Sequence, residues 1–171
     1  VSAANWERTL AFTLGEEGGF VNDSRDPGGA TNLGVTLRTW EDWTGRPASV
    51  DDIRALTEAD VAPLYHARYW NAVKGDDLPS GVDLICFDTA VNCGPRRAVR
   101  WLQDAAGVMA DGIFGPATLR AVRDTDRDEL IDHVSQDRRL HYQASPNFPT
   151  FGRGWIARLS RVTTLAHQWA S

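Results

Sequence analysis

Cysteine and long apolar runs are scarce in this 171-residue chain, and each scarcity closes off a class of protein. The two cysteines, Cys86 and Cys93, stand seven residues apart in a stretch that reads as one helix. That spacing separates them by roughly 10 Å along the axis, more than the ~7 Å a disulfide spans, so they are expected to stay unpaired as small buried hydrophobes. No histidine or second cysteine cluster sits at ligand spacing, so neither a metal nor a cofactor is expected. No segment approaches the ~18 uninterrupted apolar residues of a membrane span, which excludes stable membrane insertion. The opening residues, Val1 to Glu7, lack the basic start and apolar run of a signal peptide, so export is expected to be assisted unless a leader was removed before Val1. The 18 Lys and Arg residues are scattered among 23 acidic ones, for a net charge of -5. That balance lacks the basic footprint of a nucleic-acid binder.

What the chain does have is helical periodicity and 42% hydrophobic content, enough for one substantial core. Ala3, Trp6, Leu10 and Leu14 recur at intervals of three and four, a helix from Ala3 to Glu17 that Gly18 and Gly19 end. From Phe20 to Thr36, glycine, proline, Asn and Asp alternate with Val21, Leu33 and Val35, the pattern of a small irregular β-hairpin. Thr36 or Thr39 caps a helix carrying Trp40 and Trp43 that Gly45 and Pro47 stop, and Asp51-Asp52 begins a short one. Thr57 with Asp60 forms a capping box for a helix with Val61, Leu64, Tyr65, Arg68 and Tyr69 on one side, which Pro63 should bend or delay. Val82 to Val91 is apolar nearly all round, the mark of an enclosed helix, and Gly94-Pro95 ends it and opens another with Val99, Leu102 and Ala106. Gly115-Pro116 opens a short helix, and Leu130 to Tyr142 and Thr150 to Trp169 are two more. The acidic run from Asp124 is no calcium loop, because Glu129 and Ser135 stand where such a loop needs Gly and Glu. Its carboxylates instead complement a helix N-terminus. The expected fold is mainly α with one small β excursion.

Placed at ~100° per residue, Glu17 falls within the apolar arc of the first helix and Glu16 falls outside it. A carboxyl at the end of an apolar stripe is expected to be partly desolvated, which favours the protonated form a general acid needs. A helix-terminal glutamate that turns to water is the alternative. Gly18 and Gly19 permit a sharp reversal, and the loop after them supplies Asp23, Asp26 and Thr31. Glycosidic cleavage uses such a set: one carboxyl protonates the leaving oxygen, and a second carboxylate activates water or stabilises the positive charge on the sugar. Thr31 would hold the attacking water. Asp before Gly or Pro is also a common turn former, so Asp23 and Asp26 carry both readings. Asn32, Tyr69, Trp70, Asn71 and Asn92 are candidates for sugar binding, while Trp6, Trp101, Trp155 and Trp169 lie on periodic helix faces and are expected in the core. Asp88 interrupts the most apolar helix one turn before Asn92. It is expected to be structural, supporting the hairpin loop through backbone donors. His66, His133, His141 and His167 show no triad or ligand spacing and read as surface or boundary residues. Cys93 has no basic neighbour in prospect that would activate it.

The run Glu17-Gly18-Gly19-Phe20-Val21-Asn22-Asp23, followed by Asp26-Pro27-Gly28-Gly29 and Thr31-Asn32-Leu33-Gly34-Val35-Thr36, resembles the signature of glycoside hydrolase family 108, which contains N-acetylmuramidases, often phage endolysins. The resemblance continues through Tyr69-Trp70 and Phe87 to Pro95. Asp111 to Thr118, Phe151 and Gly154-Trp155 then resemble the helical peptidoglycan-binding region usual after this domain. It implies a lysozyme-like helical globule, with a muramidase catalytic region over 1–95 and a peptidoglycan-binding-like region over 96–171 packed against it as one compact unit. It also implies hydrolysis of the β-1,4 bond between N-acetylmuramic acid and N-acetylglucosamine, with Glu17 as the catalytic glutamate and Asp26 or Asp23 as the second carboxylate. The partner implied is the peptidoglycan glycan strand. The enzyme is expected to be a monomer, held in the host cytoplasm until a holin lesion releases it to the periplasm or wall. A wall-binding protein without activity and a lytic transglycosylase are the competing readings.

Overall fold

The apolar row at the start of the chain forms α1, Ser2–Glu17, in a computed structural model that describes residues 2–22 and 29–171. Leu10 and Leu14 are buried on it, and Gly18, at φ 78°, ends it in the left-handed conformation that glycine adopts without strain. The hairpin follows as β1, Thr31–Asn32, and β2, Val35–Thr36, antiparallel with Thr31 opposite Thr36. Thr36 then caps α2, Leu37–Thr44, by accepting from the Thr39 N–H, and Gly45 ends it at φ 68°. Ser49 and Asp52 form a capping box at α3, Val50–Arg54, and Thr57 and Asp60 form the expected one at α4, Glu58–Tyr65.

Pro63 neither delays α4 nor stops it; the departure comes just beyond, where His66–Trp70 forms a π turn. A helical period continued from Val61 turns Arg68 and Tyr69 inward, but the wider π turn carries one more residue per turn and buries Trp70 instead. A short 3₁₀ turn at Gly75–Asp77 leads to α5, Val82–Cys93, and Gly94 and Pro95 separate it from α6, Pro95–Ala105. Three helices complete the chain: α7, Pro116–Asp124, α8, Arg127–Gln143, and α9, Phe148–Ala170. The fold is mainly α and lysozyme-like, with one two-stranded sheet among the described residues.

The chain divides into two compact units, Leu10–Ala67 and Val1–Thr9 with Arg68–Ser171. In the first, β1 packs on α3 and β2 on α2 around Val35, Ile53, Val61 and Leu64. In the second, α5 is enclosed by α6, α8 and α9, and every residue from Val82 to Ala90 is buried, as the all-round apolar pattern requires. Asp83 serves both ends of this packing: it accepts the Gly81 and Leu84 N–H groups at 2.8 Å and the side-chain amide of Asn5 on α1 at 2.8 Å. Both cysteines are free. Burial pushes each thiol up from its ordinary value, at Cys93 against the pull of Arg138 and Arg97. The basic neighbours unforeseen in the sequence are therefore present, and burial outweighs their pull.

Asp88 is fully buried on α5, and the partners described for its carboxylate are side chains: two guanidinium groups and, at 3.5 Å, the Asn92 amide. Arg138 of α8 meets one carboxylate oxygen at 2.8 Å and Arg158 of α9 meets the other at 2.7 Å. Arg138 also donates to the Tyr142 hydroxyl at 2.8 Å and to the Thr89 hydroxyl at 3.2 Å. Burial opposes the charge on Asp88, but the two guanidiniums outweigh it and hold the carboxyl below the ordinary range. Removing one member of such a group strands the others, a loss of about 3–5 kcal/mol. Urea unfolding of Asp88→Ala is expected to show a loss of that size. The unfolded carboxyl titrates near ~4, so this stabilisation is present above that pH and disappears as pH falls through the lower folded value. Asp88→Asn is therefore expected to flatten the acid limb of a stability-versus-pH curve.

His167 on α9 lies between two carboxylates of α8, Asp128 at 2.5 Å and Asp132 at 2.9 Å. The Asp128 bond, against the pull of burial and helped by Asp132, raises its pKa. The clip is complete below the unfolded value of ~6.5 and is lost as pH rises through the higher folded one. NMR titration is expected to place the His167 ring above a histidine in the unfolded chain; an inflection at or below that reference would discard the clip.

Candidate active site

Glu17 ends α1 as a half-buried side chain, and the tip of the hairpin comes up against it. The tip is the two-residue turn Leu33-Gly34, with φ of 50° and 73°, between the paired residues Asn32 and Val35. Two consecutive positive φ angles are what a tight hairpin turn demands, and leucine accepts that conformation at a cost of roughly 1–2 kcal/mol. The Tyr65 hydroxyl, from α4, offsets part of it by donating to the Leu33 carbonyl at 2.9 Å. Gly34 is required twice over. A Cβ there would stand 2.9 Å from Glu17 Oε2 and 3.1 Å from its Cγ, and would collide with the Tyr65 hydroxyl. Carboxyl and phenol thus converge on a strip of bare backbone.

The segments on either side of 23–28 are drawn together at a neck. Val21 and Thr31 exchange both backbone hydrogen bonds at 2.8 Å. Each side is also fastened to α3: the Arg54 guanidinium lies 4.7 Å over the Phe20 ring, and the Asn32 amide donates to the carbonyls of Ile53, Arg54 and Leu56 at 3.0, 3.2 and 3.3 Å. The chain that leaves Glu17 through Gly18 and Gly19 therefore returns to a fixed strand. Thr31, half-buried in that strand, is held at the neck itself.

Glu17, Thr31 and Asn32 belong to the Leu10–Ala67 unit, and Tyr69, Trp70, Asn71, Asp88 and Asn92 belong to the other. Asp23 and Asp26 lie outside the described residues. Two of the expected sugar contacts are corrected. Trp70 is 0% exposed, packed by Trp6 at 5.4 Å and Phe87 at 5.8 Å, and its indole N–H is bonded to Asp76 at 3.0 Å, so its ring has no face for a sugar. Asn32 is buried and its amide N–H groups serve α3. Asn71 and Asn92 are exposed and Tyr69 is half-buried; Asn92 donates to the Asp88 carbonyl at 2.7 Å. Trp6, Trp101, Trp155 and Trp169, expected in the core, all keep part of their surface in solvent. Tyr65 is the residue that the sequence reading missed as part of the site. Its one signal was a phenol on a buried helix row, which has to find a hydrogen-bond partner.

The arrangement is a carboxyl at a helix end, on a backbone floor, with the strand at Thr31–Asn32 pinned to Val21 and to α3. A family model described as Glycosyl hydrolase 108 matches residues 10–94, and one described as Predicted Peptidoglycan domain matches residues 97–160. The solved structure of Brucella abortus SagA superposes with a TM-score of 0.87 at 41% identity, covering 98% of this chain and 96% of that one. The chain belongs to glycosyl hydrolase family 108. No curated protein matches it. This family 108 hydrolase is a glycoside hydrolase that cleaves the β-1,4 bond between N-acetylmuramic acid and N-acetylglucosamine in peptidoglycan. Glu17, Thr31, Tyr65 and the hairpin all fall within the catalytic match.

Gly34→Ala puts a methyl group where the Glu17 carboxyl and the Tyr65 hydroxyl meet, at a φ that disfavours side chains. It is expected to cost about 1–2 kcal/mol of stability and to reduce kcat on peptidoglycan by more than the loss of folded protein accounts for. Turbidity clearance alongside a thermal melt measures both.

Proposed function

We propose that Glu17 is the general acid of the hydrolase, donating its proton to the oxygen of the scissile glycosidic bond. The observation that carries this reading is the packing of the Glu17 carboxyl against the hairpin tip, where Gly34 leaves room for it beside the Tyr65 hydroxyl. A carboxyl so placed is oriented before substrate arrives. As the bond breaks, positive charge grows on the sugar ring, and a second carboxylate, Asp26 or Asp23, stabilises it or takes the proton of the attacking water. Thr31 holds that water by its hydroxyl, and Tyr69, Asn71 and Asn92 contact the sugars. Asp88 acts only through the helices it holds together.

Glu17→Gln keeps the shape of the side chain and removes the proton. It is expected to abolish clearance of peptidoglycan while leaving the melting curve and wall binding near those of the parent. Activity within about tenfold of the parent, a loss of only ~1.4 kcal/mol in transition-state stabilisation, would remove Glu17 from the role. Mass spectrometry of the products is expected to show reducing muramic acid ends, because water completes the reaction; anhydro ends would place the chemistry among transglycosylases.

We also infer, from the resemblance to endolysins, that the enzyme is a monomer that waits in the host cytoplasm and reaches the wall through a membrane lesion. No described helix is long and apolar enough to cross a membrane. Expression in a bacterium with and without a pore-forming protein is expected to give lysis only with it.

A further inference from the structure

The unit built from Val1–Thr9 and Arg68–Ser171 carries a row of rings across α6, α8 and α9. Trp101 on α6 lies 5.7 Å from the His141 ring on α8, and Tyr142 stands 6.3 Å beyond. Tyr142 meets Trp155 on α9 at 5.2 Å, and Trp155 stacks on Phe151 at 5.9 Å with 29° between the ring planes. Tyr142 is buried and backs the row. Trp101, His141 and Trp155 are half-exposed, and Phe151 is 55% exposed.

Beside Trp101 runs a groove of about 470 Å³, between the Cys93–Pro95 turn and α6, lined by Arg96, Arg97, Arg100 and Asp104. These three cations occupy five consecutive positions in a chain of net charge -5. Their described hydrogen bonds go mainly to backbone carbonyls: Arg97 to Cys93 at 2.9 Å, Arg100 to Ala110 at 3.1 Å and Arg96 to Asp111 at 3.5 Å. None of the three forms an ion pair among the described residues. Arg97 also reaches the His141 ring at 3.4 Å. Burial, then Arg97, lowers the pKa of that histidine, so near neutral pH it offers a neutral ring rather than a further cation.

Rings beside unpaired guanidiniums suit a ligand with alternating apolar faces and carboxylates. Aromatic rings take the apolar face of a sugar, and the planar guanidinium takes a carboxylate through two parallel hydrogen bonds. A peptidoglycan strand is such a ligand, with N-acetylated sugars along its length and carboxylates on its stem peptides. We propose that the groove beside Trp101, with the rings continuing from it and its three arginines, is a non-catalytic binding site for a peptidoglycan strand. The inference rests on the reading that peptidoglycan is the substrate, and it names a place for binding at residues 93–104, across the start of the match over 97–160. A second attachment raises the local concentration of enzyme on an insoluble polymer without altering the chemical step.

The test separates holding from cutting. Binding is measured by co-sedimentation with insoluble sacculi in a Glu17→Gln background, so that the wall persists. Cleavage is measured with Glu17 intact on a short soluble glycan free of peptide. Trp101→Ala and the surface double variant Arg97→Glu with Arg100→Glu are each expected to weaken sacculus binding by about tenfold or more, while cleavage of the soluble glycan stays within about twofold. The arginine pair lies outside the core, so it remains informative even if Trp101→Ala fails to fold. Sacculus binding unchanged in the arginine variant, with soluble cleavage normal in the parent, overturns the site and leaves the hydrolase reading standing. Loss of binding to a single-stranded oligonucleotide alone, with sacculus binding kept, also overturns it. A parent that neither binds nor cleaves peptidoglycan overturns the function first and the site with it.

Discussion

Much of the larger unit depends on one buried carboxylate. Asp88 on α5 is fully enclosed, and α8 and α9 each send it an arginine. Taking these charges out of water costs several kcal/mol apiece, and their mutual attraction recovers that only when the geometry is right. Hydrophobic contact would tolerate many registers between three helices. The carboxylate tolerates few, because Arg138 must also satisfy Thr89 and Tyr142 from the same position. The cluster is thus a means of fixing register as much as a source of stability, and Tyr142, which backs the ring row, inherits its placement.

In the smaller unit the corresponding constraint is backbone rather than charge. Leu33 and Gly34 hold positive φ angles at the hairpin tip, and Tyr65 and α3 fasten that tip and its base. The strained turn persists because several hydrogen bonds converge on it. Its effect is to let a carboxyl and a phenol approach the same strip of main chain, which a β-carbon would prevent. A glycine in this turn serves the side chains around it more than the strand it ends.

Most of the architecture was legible because it rests on local chemistry. The caps at Thr36 and Thr57, the stop at Gly45, the Gly94-Pro95 break and the enclosed α5 each follow from a few neighbouring residues. The place of Glu17 at the end of α1 was legible for the same reason, as the end of a periodic row before two glycines. What escaped was settled at long range. Nothing near Asp88 in the chain points to Arg138 or Arg158, which are fifty and seventy residues away. The exchange of Tyr69 for Trp70 in the core depends on one π turn, and a strict helical period has no means of registering it. Asn32 stood in a motif and looked ready for sugar, yet the end of α3 claims its amide.

The two family matches meet between residues 94 and 97, but the packing does not divide there. Helix α5 ends the catalytic match, and it is apolar on every side. One side is covered by α1, where Asn5 bonds to Asp83 and Trp6 meets Phe87. The rest is covered by α6, α8 and α9, all of them beyond residue 94. The counter-charges of Asp88 lie there as well. Residues 1–94 alone would leave α5 without most of its cover and with a carboxylate stripped of both arginines, at an energetic cost comparable to the whole stability of a small domain. The peptidoglycan-binding match therefore also supplies the cover of the last helix of the catalytic one, and the helices that complete α5 are the same ones that present the rings and arginines to solvent.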